Sequence, residues 1–89
     1  SSKIQKITMK VVYTDHFGKS LADLPTMTQK KFKKQVGYLV NDIRHPSLRA
    51  KKFDGTRGIW QARVDKYFRF YFTIENDVYK LIDITDHPV

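Results

Sequence analysis

Eighty-nine residues with 40% hydrophobic content are enough for one domain around one modest core, so residues 1–89 read as a single unit. The absence of cysteine excludes disulfides, thiolate metal sites and cysteine nucleophiles, and fits a reducing, cytoplasmic setting. The formal net charge is +8, and no apolar run approaches the length of a membrane span or of a signal-peptide core, so no membrane partner is expected.

The opening "SS" in place of methionine reads as a trimmed or appended start. Residues 4–13, "IQKITMKVVY", alternate and are rich in β-branched side chains, which predicts a first strand at an edge of a sheet. Thr14 or Asp15 can cap a short helix that carries Phe17, Leu21 and Leu24. Pro25 interrupts it, and a longer amphipathic helix follows with Phe32, Val36, Leu39, Val40 and Ile43 at helical spacing. Residues 44–58, "RHPSLRAKKFDGTRG", have the proline, glycine and charge of a loop, with Leu48 and Phe53 as expected anchors onto the core. From Gly58 the period becomes two, and "GIWQARV", "YFRFYFTI" and "DVYKLIDI" predict three antiparallel strands. The expected fold is α+β: a strand, two helices on one face, then a twisted antiparallel sheet.

Charge is unevenly placed. Residues 29–52 hold Lys30, Lys31, Lys33, Lys34, Arg44, Arg49, Lys51 and Lys52 against Asp42 alone, whereas the last fifteen residues hold Glu75, Asp77, Asp83 and Asp86 against Lys80. The basic segment is either a surface for a polyanion or a solvated face.

The hairpins constrain one another. For Trp60, Ala62 and Val64 to share a buried face with Phe68, Phe70 and Phe72, residues 65–67 must form a three-residue loop, which sets Arg63 opposite Arg69 on the other face. Treating 75–77 as a second three-residue loop pairs Val78 with Ile74 and Ile84 with Phe68, leaves Lys80 as a misfit, and sets Asp83 opposite Arg69. Arg69 is then paired and Arg63 left free.

The stretch "HPSLRAKKFDGTRGIWQARVDKYFRFYF" followed by "VYKLIDITDH" resembles the RelE/ParE superfamily of bacterial toxins, over nearly the whole chain. The resemblance implies a strand, two helices and three or more antiparallel strands. It also implies two activities on one fold: ribosome-dependent cleavage of messenger RNA in RelE-like members and gyrase inhibition in ParE-like members, with a protein antitoxin in either case. Fold alone does not choose between them.

Metal-free cleavage of RNA needs a group to take the 2′-hydroxyl proton, cations for the charge growing on the phosphate, and a donor for the leaving 5′-oxygen. Arg63, at the position resembling the family's strand arginine, is the first candidate for the phosphate, with Lys51 and Lys52 as further cations. His87 resembles a histidine that some relatives carry after the final strand, and is a candidate acid or base or else a plain terminal residue. Arg63, His87 and Lys52 are thus the catalytic candidates; Lys51, Arg49, Arg57, Tyr71 and Arg69 are candidates for binding RNA. Tyr67, Tyr71 and Tyr79 are expected on the exposed face, for stacking bases or for packing under a partner. His45 before Pro46 reads as structural and His16 as surface or cap. The scattered histidines do not have the spacing of a metal site, and phosphate-cradling glycine loops and nucleophile triads are absent, so no metal or cofactor is expected.

Overall fold

The computed structural model describes residues 10–86. In chain order they form β1 (Lys10–Tyr13), α1 (Asp15–Ala22), α2 (Thr26–Asn41), β2 (Lys51–Asp54), β3 (Ile59–Arg63), β4 (Phe68–Glu75) and β5 (Val78–Asp86). Residues 4–9 of the expected first strand, and His87, lie outside the described residues.

The five strands make one sheet in the order β1-β5-β4-β3-β2. The helices carry the chain from one edge of this sheet to the other, and the meander from β2 to β5 walks back until β5 lies beside β1. There the two run parallel, Val11 against Tyr79 and Tyr13 against Leu81, so the sheet is mixed rather than wholly antiparallel. Lys51–Asp54, expected as loop, is a strand paired with β3. Its charged composition hid it: an edge strand needs only one partner and little apolar surface.

Each helix starts for a local reason. Thr14 Oγ1 accepts from Phe17 N (3.2 Å) at the head of α1 and donates to Leu81 O (2.9 Å), tying the helix to β5. The chain extends through Pro25 and enters α2, where Thr28, Phe32, Gln35 and Leu39 are buried and the four lysines at 30, 31, 33 and 34 face outward. Phe17, Phe32, Leu39, Leu48, Phe70, Phe72 and Leu81 are fully buried between helices and sheet. Phe32 bridges the layers, with its ring 5.3 Å from both Phe17 and Phe70. Each such phenylalanine contributes roughly 1.5–3 kcal/mol by leaving water. No described helix is long and apolar enough to cross a membrane.

The β3–β4 hairpin has the expected register, with Trp60 opposite Phe72, Ala62 opposite Phe70 and Arg63 opposite Arg69. Val64 N donates to Phe68 O (3.0 Å) and closes the loop at residues 65–67. The β4–β5 hairpin departs from expectation. Glu75 pairs with Val78 across a two-residue turn in which Asn76 takes a left-handed backbone (φ 48°), a conformation that asparagine tolerates well. A bulge then shifts the register beside Tyr71 and Phe72, so Leu81 lies opposite Phe72, Asp83 opposite Tyr71 and Thr85 opposite Arg69. The apparent misfit of Lys80 disappears: it stands on the open face opposite Thr73, while Tyr79, Leu81 and Ile84 are buried. Tyr79 is therefore a core residue, its ring against Phe72, and burial together with Asp42 pushes its phenol up.

Candidate functional site

The helices cover one face of the sheet, and alternation sends Gln61 and Arg63 of β3, and Arg69 and Tyr71 of β4, to the open one. Arg49, Lys51, Gln61, Arg63 and Arg69 line a cleft of about 220 Å³ there. A wider cleft of about 600 Å³ shares Arg49 and Arg63 with it and runs on past Lys31, Ser47 and Lys66. Positive charge from β2, β3, β4 and the loop before β2 thus converges on one place.

Arg63 and Arg69 face each other across the hairpin, and their repulsion is not offset by Asp83 as the expected register required. Asp83 instead accepts from its neighbour Ile84 N (2.9 Å) and lies 3.1 Å from His16 Nε2. The shared acceptor is a main-chain carbonyl: Arg63 Nε donates to Asp65 O (3.3 Å) and Arg69 Nη1 to the same oxygen (3.0 Å). Arg69 Nη1 also reaches Phe68 O (3.3 Å). Both guanidiniums are aimed by the hairpin loop and keep full positive charge, since a carbonyl cancels none.

Asp65 organises that loop. Its Oδ1 accepts from Tyr67 N (2.8 Å) and Phe68 N (2.9 Å), and its Oδ2 lies 3.4 Å from Lys31 Nζ. Burial pushes the carboxyl up, but the two backbone N–H groups and Lys31 outweigh it and hold Asp65 below its ordinary value. Its carboxylate is committed to the loop and to α2, while its carbonyl serves the arginines.

Gln35, a polar residue on the apolar stripe of α2, holds the other side. Its Nε2 donates to Ser47 O (2.9 Å) and Arg63 O (2.7 Å), and Arg63 N donates to Leu48 O (2.7 Å). Helix, loop and strand are thereby fastened where Arg63 leaves the sheet. Leu48 anchors the loop in the core as expected, and Arg49 next to it takes a left-handed backbone (φ 48°) as the chain turns into β2. A non-glycine residue in that conformation costs about 1–2 kcal/mol, offset here by the anchored loop around it. Gln35 and Gln61 were missed from the sequence. For Gln35 the signal was present, since it falls between Phe32 and Leu39 on the buried face.

The remaining candidates separate. Lys51 lies opposite Gln61 on the open face, but Lys52 lies opposite Trp60 with its Nζ 5.9 Å from that ring, on the helix side and away from the cleft. Arg57 stands in the β2–β3 turn, 3.8 Å from Asp54, also outside the cleft. Phe53 is no core anchor: it is 59% exposed on the open face, with its ring 4.9 Å from that of Tyr71. Tyr67 is exposed at the loop tip. His45 is structural, stacked on Tyr38 at 3.8 Å and accepting from Ser47 N (3.1 Å). His87 lies outside the described residues. Among the described residues no cluster of histidine and carboxylate is placed to hold a metal.

A basic cleft of this form is suited to an anion with several negative oxygens, and arginine fits phosphate by its fork of donors. No protein-family model matches the sequence, and no curated protein matches it. Solved structures do. The chain superposes on the archaeal RelE–RelB complex from Pyrococcus horikoshii OT3 with TM-score 0.75 and 19% identity, over 89% of this chain and 94% of the other. It superposes on a YoeB/ParE toxin from Agrobacterium tumefaciens with TM-score 0.75 and 15% identity, over 90% and 100% of the two chains. For the E. coli DinJ–YafQ toxin–antitoxin complex the values are 0.69, 16%, 91% and 94%. At these identities the likeness is one of fold, and the fold is that of the RelE/ParE toxins.

Proposed function

We propose that this chain, built on the RelE/ParE toxin fold, is the toxin of a type II toxin–antitoxin pair and cuts messenger RNA on the ribosome. The observation that carries the proposal is the convergence of Arg49, Lys51, Arg63 and Arg69 on one cleft whose lining, among the described residues, contains no carboxylate.

In the reaction proposed, the 2′-hydroxyl oxygen attacks the adjacent phosphorus and the bond to the 5′-oxygen breaks. The products are a 2′,3′-cyclic phosphate and a free 5′-hydroxyl. One proton leaves the 2′-oxygen and one is delivered to the 5′-oxygen. Arg63 is assigned to the charge that builds on the non-bridging oxygens, with Arg69 beside it and Arg49 and Lys51 holding the flanking backbone. His87, which follows the end of β5, is assigned to proton transfer. Lys52 and Arg57 are left out of the chemistry because both stand away from the cleft. The proposal places the protein in the cytoplasm and gives it a protein antitoxin as its partner.

Inducible expression of wild type and Arg63→Ala tests the reading. Growth arrest with fragmented message in wild type alone is the expected result. Arrest by both, with intact message and blocked gyrase supercoiling, would assign the ParE-like activity instead.

A further inference from the structure

On β2, Lys51 is followed two positions later by Phe53; on β4, Arg69 is followed two positions later by Tyr71. Each strand thus carries a cation and then an aromatic ring on the open face. Phe53 and Tyr71 meet edge to face (4.9 Å, 70°) and, with Ile59, Ile82, Asp83 and Thr85, line a hollow of about 330 Å³. Nothing in the core needs Phe53, which is 59% exposed.

We propose that Phe53 and Tyr71 form a stacking platform for one nucleobase of the single-stranded RNA whose phosphate sits in the Arg63 cleft. The inference rests on the reading of that cleft as a phosphate site. Two strand positions span about 6.6 Å, a step suited to a nucleotide with its phosphate among the cations and its base over the rings. Stacking is tolerant of sequence because every base presents a flat apolar face. The lining adds the Thr85 hydroxyl, which donates to Asp86 O and can accept from an amino group on a base edge. Alternating anionic and flat apolar groups is the pattern of a single strand of nucleic acid, and the open face presents its complement.

The test is binding of two short strands at low salt, one a mixed-sequence RNA and the other the same backbone without bases. Wild type, Phe53→Ala, Phe53→Leu and Arg63→Ala are compared; Phe53 is exposed, so its substitution leaves the core intact. Phe53→Ala should weaken the RNA about tenfold and leave the abasic strand unchanged. Phe53→Leu should behave like Phe53→Ala, since leucine restores apolar area but no ring face, whereas an apolar protein segment would accept it. Arg63→Ala should weaken both strands. Equal loss on both strands with Phe53→Ala, or wild-type RNA affinity with Phe53→Leu, overturns the platform while the cleft reading stands. No effect of Arg63→Ala on either strand overturns the cleft reading and the platform with it.

Discussion

Arg63 and Arg69 stand directly opposite each other across the β3–β4 hairpin and donate to one and the same acceptor, the carbonyl oxygen of Asp65. Two guanidiniums in register repel, and a carbonyl aims them without neutralising them. The arrangement is poor for stability and good for an anion, which would supply the missing negative charge. Arg63→Ala should therefore leave thermal stability within about 0.5 kcal/mol of wild type, or raise it, while lowering RNA cleavage by about 100-fold to 1,000-fold. Calorimetry and a cleavage assay on the same preparation check both halves.

Strand alternation separates two adjacent lysines. Lys51 faces the cleft and Lys52 the Trp60 ring. Lys51→Ala should weaken RNA binding and reduce the slope of log affinity against log salt by about 0.7, the value for one phosphate contact on a single strand. Lys52→Ala should leave the slope unchanged. Titrations at several salt concentrations read the difference.

Gln35 acts through others. Gln35→Leu fills a similar volume but leaves Ser47 O and Arg63 O without their donor, at a cost of about 1–3 kcal/mol. Cleavage should fall mainly in kcat, because Arg63 keeps its charge and loses its aim. Gln35→Glu should not rescue it, since a carboxylate offers no N–H. Unfolding curves and steady-state kinetics on the two variants check this.

Asp65 gives the hairpin a pH dependence. Its carboxyl is held below its ordinary value in the folded chain, so its contribution is complete at neutral pH, above the unfolded value, and is lost as pH falls through the folded one. The melting temperature should drop on acidification, and Asp65→Asn should flatten that part of the profile. Asparagine keeps an oxygen for Tyr67 N and Phe68 N, so at neutral pH it should cost less than Asp65→Ala.

The two hairpins show why part of this site was legible in the sequence. Trp60, Ala62, Val64, Phe68, Phe70 and Phe72 admit one register, since a slip of one would bury Arg63, and that register is the one found. Residues 78–84 keep no single period: Tyr79 and Leu81 are buried, then Ile84, with the bulge taking up the extra residue. A straight ladder forced the wrong partner on Arg69 and put Tyr79 outside. β2 is four residues with two lysines, too short and too charged to announce itself, and its face decides between Lys51 and Lys52. Gln35 could have been flagged as a polar residue on a buried stripe, but its acceptors lie in a loop and a strand far along the chain. The parallel pairing of β1 with β5 depends on the path of the whole meander.

The most direct measurement is primer extension on a defined message held in purified ribosomes, with wild type and Arg63→Ala added at equal concentration. New stops within the message, marking fresh 5′ ends, that appear with wild type and are absent with Arg63→Ala are the predicted result. An intact message with folded wild-type protein, or equal cleavage by both, would contradict the account.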